Sequence, residues 1–139
     1  MNTPIIDTSQ FKIKLQMNVF EADVAYPSNT IMTVAVDSDG FSAVAVMDVD
    51  IKQLIRFTDD LTELYNTLKG VAKIQEPYDM QQFIEFSGDG KGHIYISGKL
   101  NSFGQNGSAQ ELKFENSIDQ TSLPKFISNL SDVCCKYKT

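Results

Sequence analysis

The sequence predicts an α+β fold, in which two amphipathic helices pack on a largely antiparallel, twisted sheet of about seven to eight strands. Two stretches, from Asp48 to Gly70 and from Leu123 to Tyr137, carry apolar residues at three- and four-residue steps, the period of one buried helical stripe. Most of the remaining chain alternates apolar and polar residues, as half-buried strands do. Because each helix must bury its stripe, we expect both helices to lie on the sheet.

The N-terminal part is predicted to hold a loose arm followed by strands. Residues 1–10 are expected to form the loose, polar arm, and residues 11–19 alternate without error, which predicts a half-buried strand. Two β-rich runs, 30–37 and 41–47, flank Ser38-Asp39-Gly40, whose Asp-Gly pair is typical of a tight hairpin turn. Both faces of the second run are small or apolar, which predicts an interior strand covered on both sides.

The central helix has recognisable start and stop signals. Asp50 is a candidate N-cap, and Gln53 stands where a capping box would place its partner. Gly70 can adopt the left-handed C′ conformation that ends a helix. The predicted buried stripe consists of apolar residues at helical spacing: Ile51, Leu54, Ile55, Phe57, Leu61, Leu64, Tyr65 and Leu68.

The second half of the chain is predicted to be strands closed by a helix. The alternating runs are residues 71–76, 81–87, 93–100 and 109–118. Gly88 to Gly92 form a tight connection between the second and third of these runs. Thr121 or Ser122 can cap the final helix, and Pro124 stands in its first turn, where its missing N–H costs least.

Composition sets the class of protein and argues against two kinds of partner. A chain of 139 residues with 42% hydrophobic residues predicts one domain over residues 1–139. Its net charge of −6 argues against direct nucleic-acid binding, which relies on clustered Lys and Arg. No apolar run approaches the roughly 20 residues that cross a bilayer, and the first residues lack the features of a signal peptide.

Few residues suggest catalytic or metal chemistry. The only cysteines, Cys134 and Cys135, are adjacent, so they form no disulfide framework and fit a reducing cytoplasm. With His93 as the only histidine, the chain offers no metal site, and we predict neither a metal nor a cofactor. An acid–base pair of His93 with Asp89 is conceivable, but a lone His beside a turn is typically a surface or hydrogen-bonding residue. We therefore predict no catalytic residues.

The exposed face of the central helix carries three acids close together: Asp59, Asp60 and Glu63. One interpretation is a solvated face on which Arg56 pairs with Asp60. The other is a patch that binds a basic partner protein. The sequence leaves both interpretations open.

Three segments together carry a family resemblance. They are 57–61 with 68–70, the run Gly90-Lys91-Gly92-His93-Ile94-Tyr95-Ile96-Ser97-Gly98, and 112–115 with Asp119-Gln120-Thr121-Ser122-Leu123. Their order and spacing resemble the WapI-like family of bacterial immunity proteins of polymorphic toxin systems. The resemblance covers roughly residues 9 to 130. The Gly-His-Ile and Asp-Gln-Thr elements are its specific part.

The resemblance implies an immunity protein that binds a cognate toxin, such as a basic toxin domain, and silences it by occlusion without turnover. The matched motifs are interpreted as structural: Gly92 and Gly98 permit close backbone approach around His93, while Asp119, Gln120 and Thr121 anchor the final helix. Two alternatives remain, an accessory module that binds or supports another protein and a small hydrolase-like enzyme using His93. The oligomeric state stays open.

Overall fold

The computed structural model describes residues 3–77, 81–103 and 105–138. Within them the chain forms eight strands and two α-helices. In chain order these elements are β1 (Ile5–Asp7), β2 (Phe11–Val19), β3 (Thr30–Ser38), β4 (Phe41–Val49), α1 (Ile51–Thr67), β5 (Lys69–Gln75), β6 (Phe83–Asp89), β7 (His93–Phe103), β8 (Ala109–Asp119) and α2 (Leu123–Cys134). The predicted α+β class is confirmed.

The strands form two four-stranded antiparallel sheets, β1-β2-β3-β4 and β5-β6-β7-β8. Each sheet is a simple meander, so consecutive strands within a sheet pair with each other. The prediction of antiparallel strands with two helices is confirmed, but the strands divide between two sheets. The division falls at α1, which separates β4 from β5 in the chain.

The N-terminal segment is more ordered than a loose arm. Residues 5–7 form β1, in which Ile6 pairs with Ile13 and is only 1% exposed. The amide of Leu15 also donates to the Pro4 carbonyl, at 3.1 Å. The prediction was therefore wrong for this segment, because a short apolar pair beside the β2 edge suffices to add a strand. Residues 1 and 2 of the predicted arm lie outside the described part.

The hairpin turn between β3 and β4 is confirmed. Asp39 and Gly40 have φ angles of +48° and +89°, as a two-residue hairpin with a primed turn requires. The prediction that β4 is an interior strand was wrong, because β4 is the last strand of its sheet. Val44 and Val46 on its outer face are 66% and 52% exposed. Apolar residues on both faces of a strand do not by themselves show that a second layer covers it. The outer face of β4 is exposed to solvent.

The start of α1 is fixed by a residue far away in the sequence. Asp50 accepts from the Lys52 amide at 2.9 Å, as predicted for the N-cap. The Asn29 side chain accepts from the Ile51 amide at 2.8 Å and donates to Asp50 at 3.1 Å. Gln53 forms no capping box, since its buried Oε1 has no hydrogen-bond partner among the described residues.

The end of α1 differs from the predicted glycine cap. Leu68 occupies the left-handed C-cap position with φ +63°, and its amide donates to the Leu64 carbonyl at 2.7 Å. Gly70 already belongs to β5. The Leu68 carbonyl accepts from the Gly90 amide at 2.7 Å, so the turn between β6 and β7 holds this abrupt helix-to-strand change in place.

The core lies where both helices meet the sheets. Phe86 of β6 stands between Phe57 of α1 and Phe126 of α2, with ring centroids 5.9 and 5.7 Å apart. The same hydrophobic cluster includes residues from both sheets. Among the described segments, none of the helices is long and apolar enough to span a membrane.

Candidate functional site

The residues of the matched motifs meet at one corner of the second sheet. His93 opens β7 and pairs in register with Asp119, the last residue of β8. The His93 Nδ1 atom lies 3.0 Å from Asp89 Oδ2, at the end of β6. Gly92 precedes His93 with φ +97°, and a Cβ placed there would stand 3.6 Å from Oε1 of Gln120. Because 3.6 Å is an ordinary contact distance, a side chain would fit in the space at Gly92. The glycine is required instead by its positive φ angle, which other residues rarely adopt.

Asp119 links this corner to the final helix. Its carboxylate accepts from the Thr121 amide at 2.9 Å and begins a 3-10 turn over Gln120–Ser122, which leads into α2. Ser122, at the N-cap of α2, makes no side-chain capping bond. Asp119 therefore caps the 3-10 turn that leads into α2, while the side-chain cap of α2 predicted for Thr121 or Ser122 is not formed at its N-cap, Ser122. The Gln120 Oε1 atom is buried and has no hydrogen-bond partner in the described part of the chain.

The electrostatics of the corner come from backbone donors. The Lys91 amide, 2.7 Å from Asp89, holds the pKa of that carboxyl below its usual range, and the contact with His93 acts in the same direction. The Thr121 amide likewise lowers the pKa of Asp119. The His93 side chain is 68% exposed. His93 lines neither the cavity of about 470 Å³ beside the β3–β4 turn nor the cavity of about 210 Å³ beside β4.

Gly98 lies away from this corner, where a ring crosses the strand. A Cβ at Gly98 would stand 2.5 Å from the Phe114 ring and 2.7 Å from the Phe83 carbonyl. Phe114 of β8 lies over Gly98 and stacks on Phe11 of the first sheet, with ring centroids 5.8 Å apart. The missing side chain thus makes room for a contact between the two sheets.

The three acids of α1 lie on its solvent face, as predicted. Asp59, Asp60 and Glu63 are all exposed. Lys138, near the C-terminus, donates to Asp59 at 3.2 Å. The solvated-face interpretation predicted an ion pair between Arg56 and Asp60. Among the described residues, neither that pair nor any ion pair to Glu63 is formed. Two of the three carboxylates thus remain available to a partner.

The C-terminal segment adds contacts that the sequence did not predict. Tyr137 and Lys136 both donate to Glu21, at 2.9 and 3.2 Å, and the tyrosine hydroxyl contributes most to lowering the pKa of Glu21. Cys134 is buried and Cys135 is exposed, and burial raises the pKa of the Cys134 thiol. Glu21 is more than 100 positions from Lys136 and Tyr137 in the sequence, so no local pattern could have revealed their contacts.

A second feature missed from the sequence is a polar bridge between the sheets. Gln82, only 6% exposed, donates from Nε2 to the Val46 carbonyl at 2.8 Å. Its Oε1 accepts from the Asn101 amide at 3.0 Å. Beside this bridge lies the cavity of about 210 Å³, between β4 and the β7–β8 hairpin. The sequence does not mark Gln82 as buried, so the bridge could not be predicted; once buried, its amide must find partners.

Comparison with family models identifies the class of protein. A model that describes immunity proteins matches residues 4–138, nearly the whole chain. The chain therefore belongs to the immunity protein WapI-like family, and the resemblance carried by its motifs is confirmed. Membership supports an immunity function, suggests a non-enzymatic role and implies binding of a cognate toxin. A comparison with curated proteins finds no match.

Proposed function

We propose that this protein binds a cognate protein toxin and neutralises it by occlusion, without turnover, in the cytoplasm of the cell that makes both. The observation that carries the proposal is the family match over residues 4–138. Occlusion needs a stable surface rather than a reactive group. The hydrophobic core shared by both helices and both sheets supplies that stability.

The exposed acids of α1 are proposed to contact the toxin. Asp60 and Glu63 have no ion-pair partner among the described residues, and Asp59 is held by a lysine that is itself half exposed. With a net charge of −6, the protein would attract a basic toxin surface from a distance. Rim charges of this kind act mainly on the association rate and on the choice of partner.

The decisive experiment pairs this chain with its candidate toxin. A candidate is a toxin domain of any large secreted protein whose gene is found beside the gene for this chain. That domain should arrest growth when expressed alone, and co-expression of this chain should restore growth. Size-exclusion chromatography of the purified proteins should then yield a stable complex.

Two results would count against the proposal. A neighbouring toxin domain that remains lethal and unbound in the presence of the folded chain would contradict neutralisation of that toxin. Affinity capture from the native host that recovers a stable assembly without any toxin would favour the accessory-module hypothesis instead. A control variant with an emptied core, Leu61→Ala, tests whether rescue requires the folded protein.

A further inference from the structure

The outer edge of β4 is only partly satisfied. Because Ser38 and Phe41 flank a two-residue turn, the odd-numbered residues of β4 bond to β3 and the even-numbered ones direct N–H and C=O groups outward. Two of these outward groups have partners: the Asp48 amide donates to Glu76 at 3.2 Å, and the Val46 carbonyl accepts from Gln82. No partner for the outward groups of Ser42 and Val44 occurs among the described residues.

The Gln82 side chain stands in for a peptide group. A carboxamide has the same donor and acceptor as a backbone amide, and this one donates to β4 and accepts from β7. An additional strand between β4 and β7 would place its peptide groups in the same way. The described register of β6 on β7 ends at the pair Phe83–Lys99, so the following residues of β7 have no strand on that side. The Asn101 amide points into the gap, and alternation along the strand directs the Phe103 amide the same way.

Beyond Gln82 the gap opens into a groove. Its cavity of about 210 Å³ has a mixed polar and apolar lining, and the apolar part includes Ala43, Ala45, Leu100 and Leu112. Large apolar side chains beside it are exposed to solvent, with Phe41 at 69% and Phe103 at 76%. Small alanines leave room for a backbone, and the exposed aromatic rings could cover its side chains.

We propose that an extended segment of the toxin enters this groove, defined as the gap between Phe41–Val46 of β4 and Leu100–Phe103 of β7, and adds a strand there. The proposal rests on the proposed function, since it names the surface by which the partner is held. Strand addition supplies affinity through main-chain hydrogen bonds and specificity through alternate side chains. It would also satisfy an edge that otherwise invites unspecific pairing.

The acidic residues near the groove favour a toxin segment that carries positive charge. Asp37 and Asp39 lie beside the turn that leads to Phe41 and line the neighbouring cavity of about 470 Å³; both are exposed and take part in no ion pair among the described residues. The carboxylate that lines the groove itself, Glu111, is paired with Lys99 and Lys113. A segment with Lys or Arg near Asp37 and Asp39 would therefore be favoured. A second copy of this chain would be disfavoured, because two-fold pairing about Val44 would bring Asp48 of one copy beside Asp39 of the other.

The test uses short peptides and backbone NMR. The probes are acetylated peptides of alternating threonine and valine with lysines at the N-terminal end, and a second set with the lysines at the C-terminal end. At least one set should shift the amide signals of Ser42, Val44 and Phe103. N-methylation of the valines removes main-chain donors and should weaken binding about tenfold or more. Replacing the lysines by glutamates should weaken it further at low salt.

A variant pair checks the groove from the protein side. Val44→Pro removes one outward N–H at an edge position, where proline is tolerated, and should abolish the shifts. Val44→Thr keeps the N–H and nearly the same shape and should bind like the native chain. If Val44→Pro fails to fold, the N-methylated peptides still decide, because they leave the protein unchanged.

The outcomes separate this inference from the proposed function. Absent or scattered shifts at millimolar peptide would overturn strand addition, even if the toxin complex forms. A toxin complex in which the Ser42 and Val44 amides keep exchanging with solvent would overturn it as well. Concentration-dependent dimerisation that protects these amides without peptide would show that the edge pairs with itself, against the proposal. Failure of toxin rescue together with specific peptide shifts would remove the immunity function and leave a strand-binding groove.

Discussion

Gly98 shows how one missing side chain allows contact between the two sheets. A Cβ at this position would stand 2.5 Å from the Phe114 ring, which stacks on Phe11. We expect Gly98→Ala to lower the free energy of unfolding by about 1–3 kcal/mol, the usual cost of overpacking. Denaturant melts measure this cost. The double variant Gly98→Ala/Phe114→Leu should lose less than the sum of the single variants, and strict additivity would show that the ring is not the source.

His93 is expected to contribute little to neutralisation. Its side chain is mostly exposed, and Asp89 remains bonded to the Lys91 amide without it. We expect His93→Ala to neutralise the toxin within a few-fold of the native chain, measured by titrating its expression in the growth-rescue assay. A folded His93→Ala variant with no neutralising activity would instead favour the enzyme hypothesis.

Asp119 should make stability depend on acid pH. The Thr121 amide lowers the folded-state pKa of this carboxyl, while the unfolded-state pKa stays near 3.9. Its contribution is therefore complete above the unfolded-state pKa and is lost as the pH falls through the folded-state pKa. Asp119→Asn keeps a capping oxygen but loses the charge. Its melting temperature should be lower than native at pH 6 and should converge with native in strong acid. Glu115→Gln, an exposed acid of the same strand, is the control, and equal behaviour of both variants would contradict this role.

At the scale of helices and strands, hydrophobic periodicity predicts which face of an element is buried, because that depends on the local sequence alone. Most of the α1 stripe and the alternation of β2 were read correctly, because side-chain direction follows from residue spacing alone. The stripe was wrong at Tyr65, which is 39% exposed, and Leu68 lies beyond the helix as its C-cap. The start of α1 was only half predicted, since Asn29, which completes it, is 22 residues from Ile51. The edge position of β4 was missed because a strand's neighbours depend on the whole topology. An apolar strand surface alone does not reveal whether another layer covers it.

The packing of both helices on the sheets predicts a matched pair of core effects. Leu61 of α1 and Phe126 of α2 are fully buried, so truncation of either leaves a cavity. Leu61→Ala or Phe126→Ala should each lower the free energy of unfolding by about 2–5 kcal/mol in denaturant melts. Exposed changes on the same helices, Asn66→Ala and Lys125→Ala, should stay within about 0.5 kcal/mol. Native-like stability of both core variants would mean that the buried faces are assigned incorrectly.

At the scale of the whole molecule, the sequence predicted exposure better than partnership. The exposure of the three α1 acids followed from the helical period, but the Lys138 contact to Asp59 joins residues 79 positions apart. The motif residues around His93 were recognised in the sequence, yet only the β7–β8 register brings His93 beside Asp119. The groove beside Gln82 depends on how two sheets approach each other, and no local pattern encodes that approach.

The acidic face of α1 should steer toxin association. Asp59, Asp60 and Glu63 changed together to Asn, Asn and Gln remove three negative charges from exposed positions. Because exposed charges contribute little to stability, the melting temperature should barely change. The association rate with a basic toxin domain should fall several-fold at low ionic strength. The difference should shrink as salt screens the remaining charges, since the Debye length falls from about 10 Å at 0.1 M to 3 Å at 1 M.

Surface-resonance kinetics at two salt concentrations measure this effect, and a control distinguishes location from net charge. The control triple variant, Asp23→Asn, Glu115→Gln and Asp132→Asn, removes the same charge from exposed positions outside α1. If α1 lies at the rim of the interface, the α1 variant should slow association much more than the control. Equal slowing would assign the effect to overall charge. Unchanged kinetics in the folded α1 variant would move the contact away from α1 and leave the groove between β4 and β7 as the principal toxin surface.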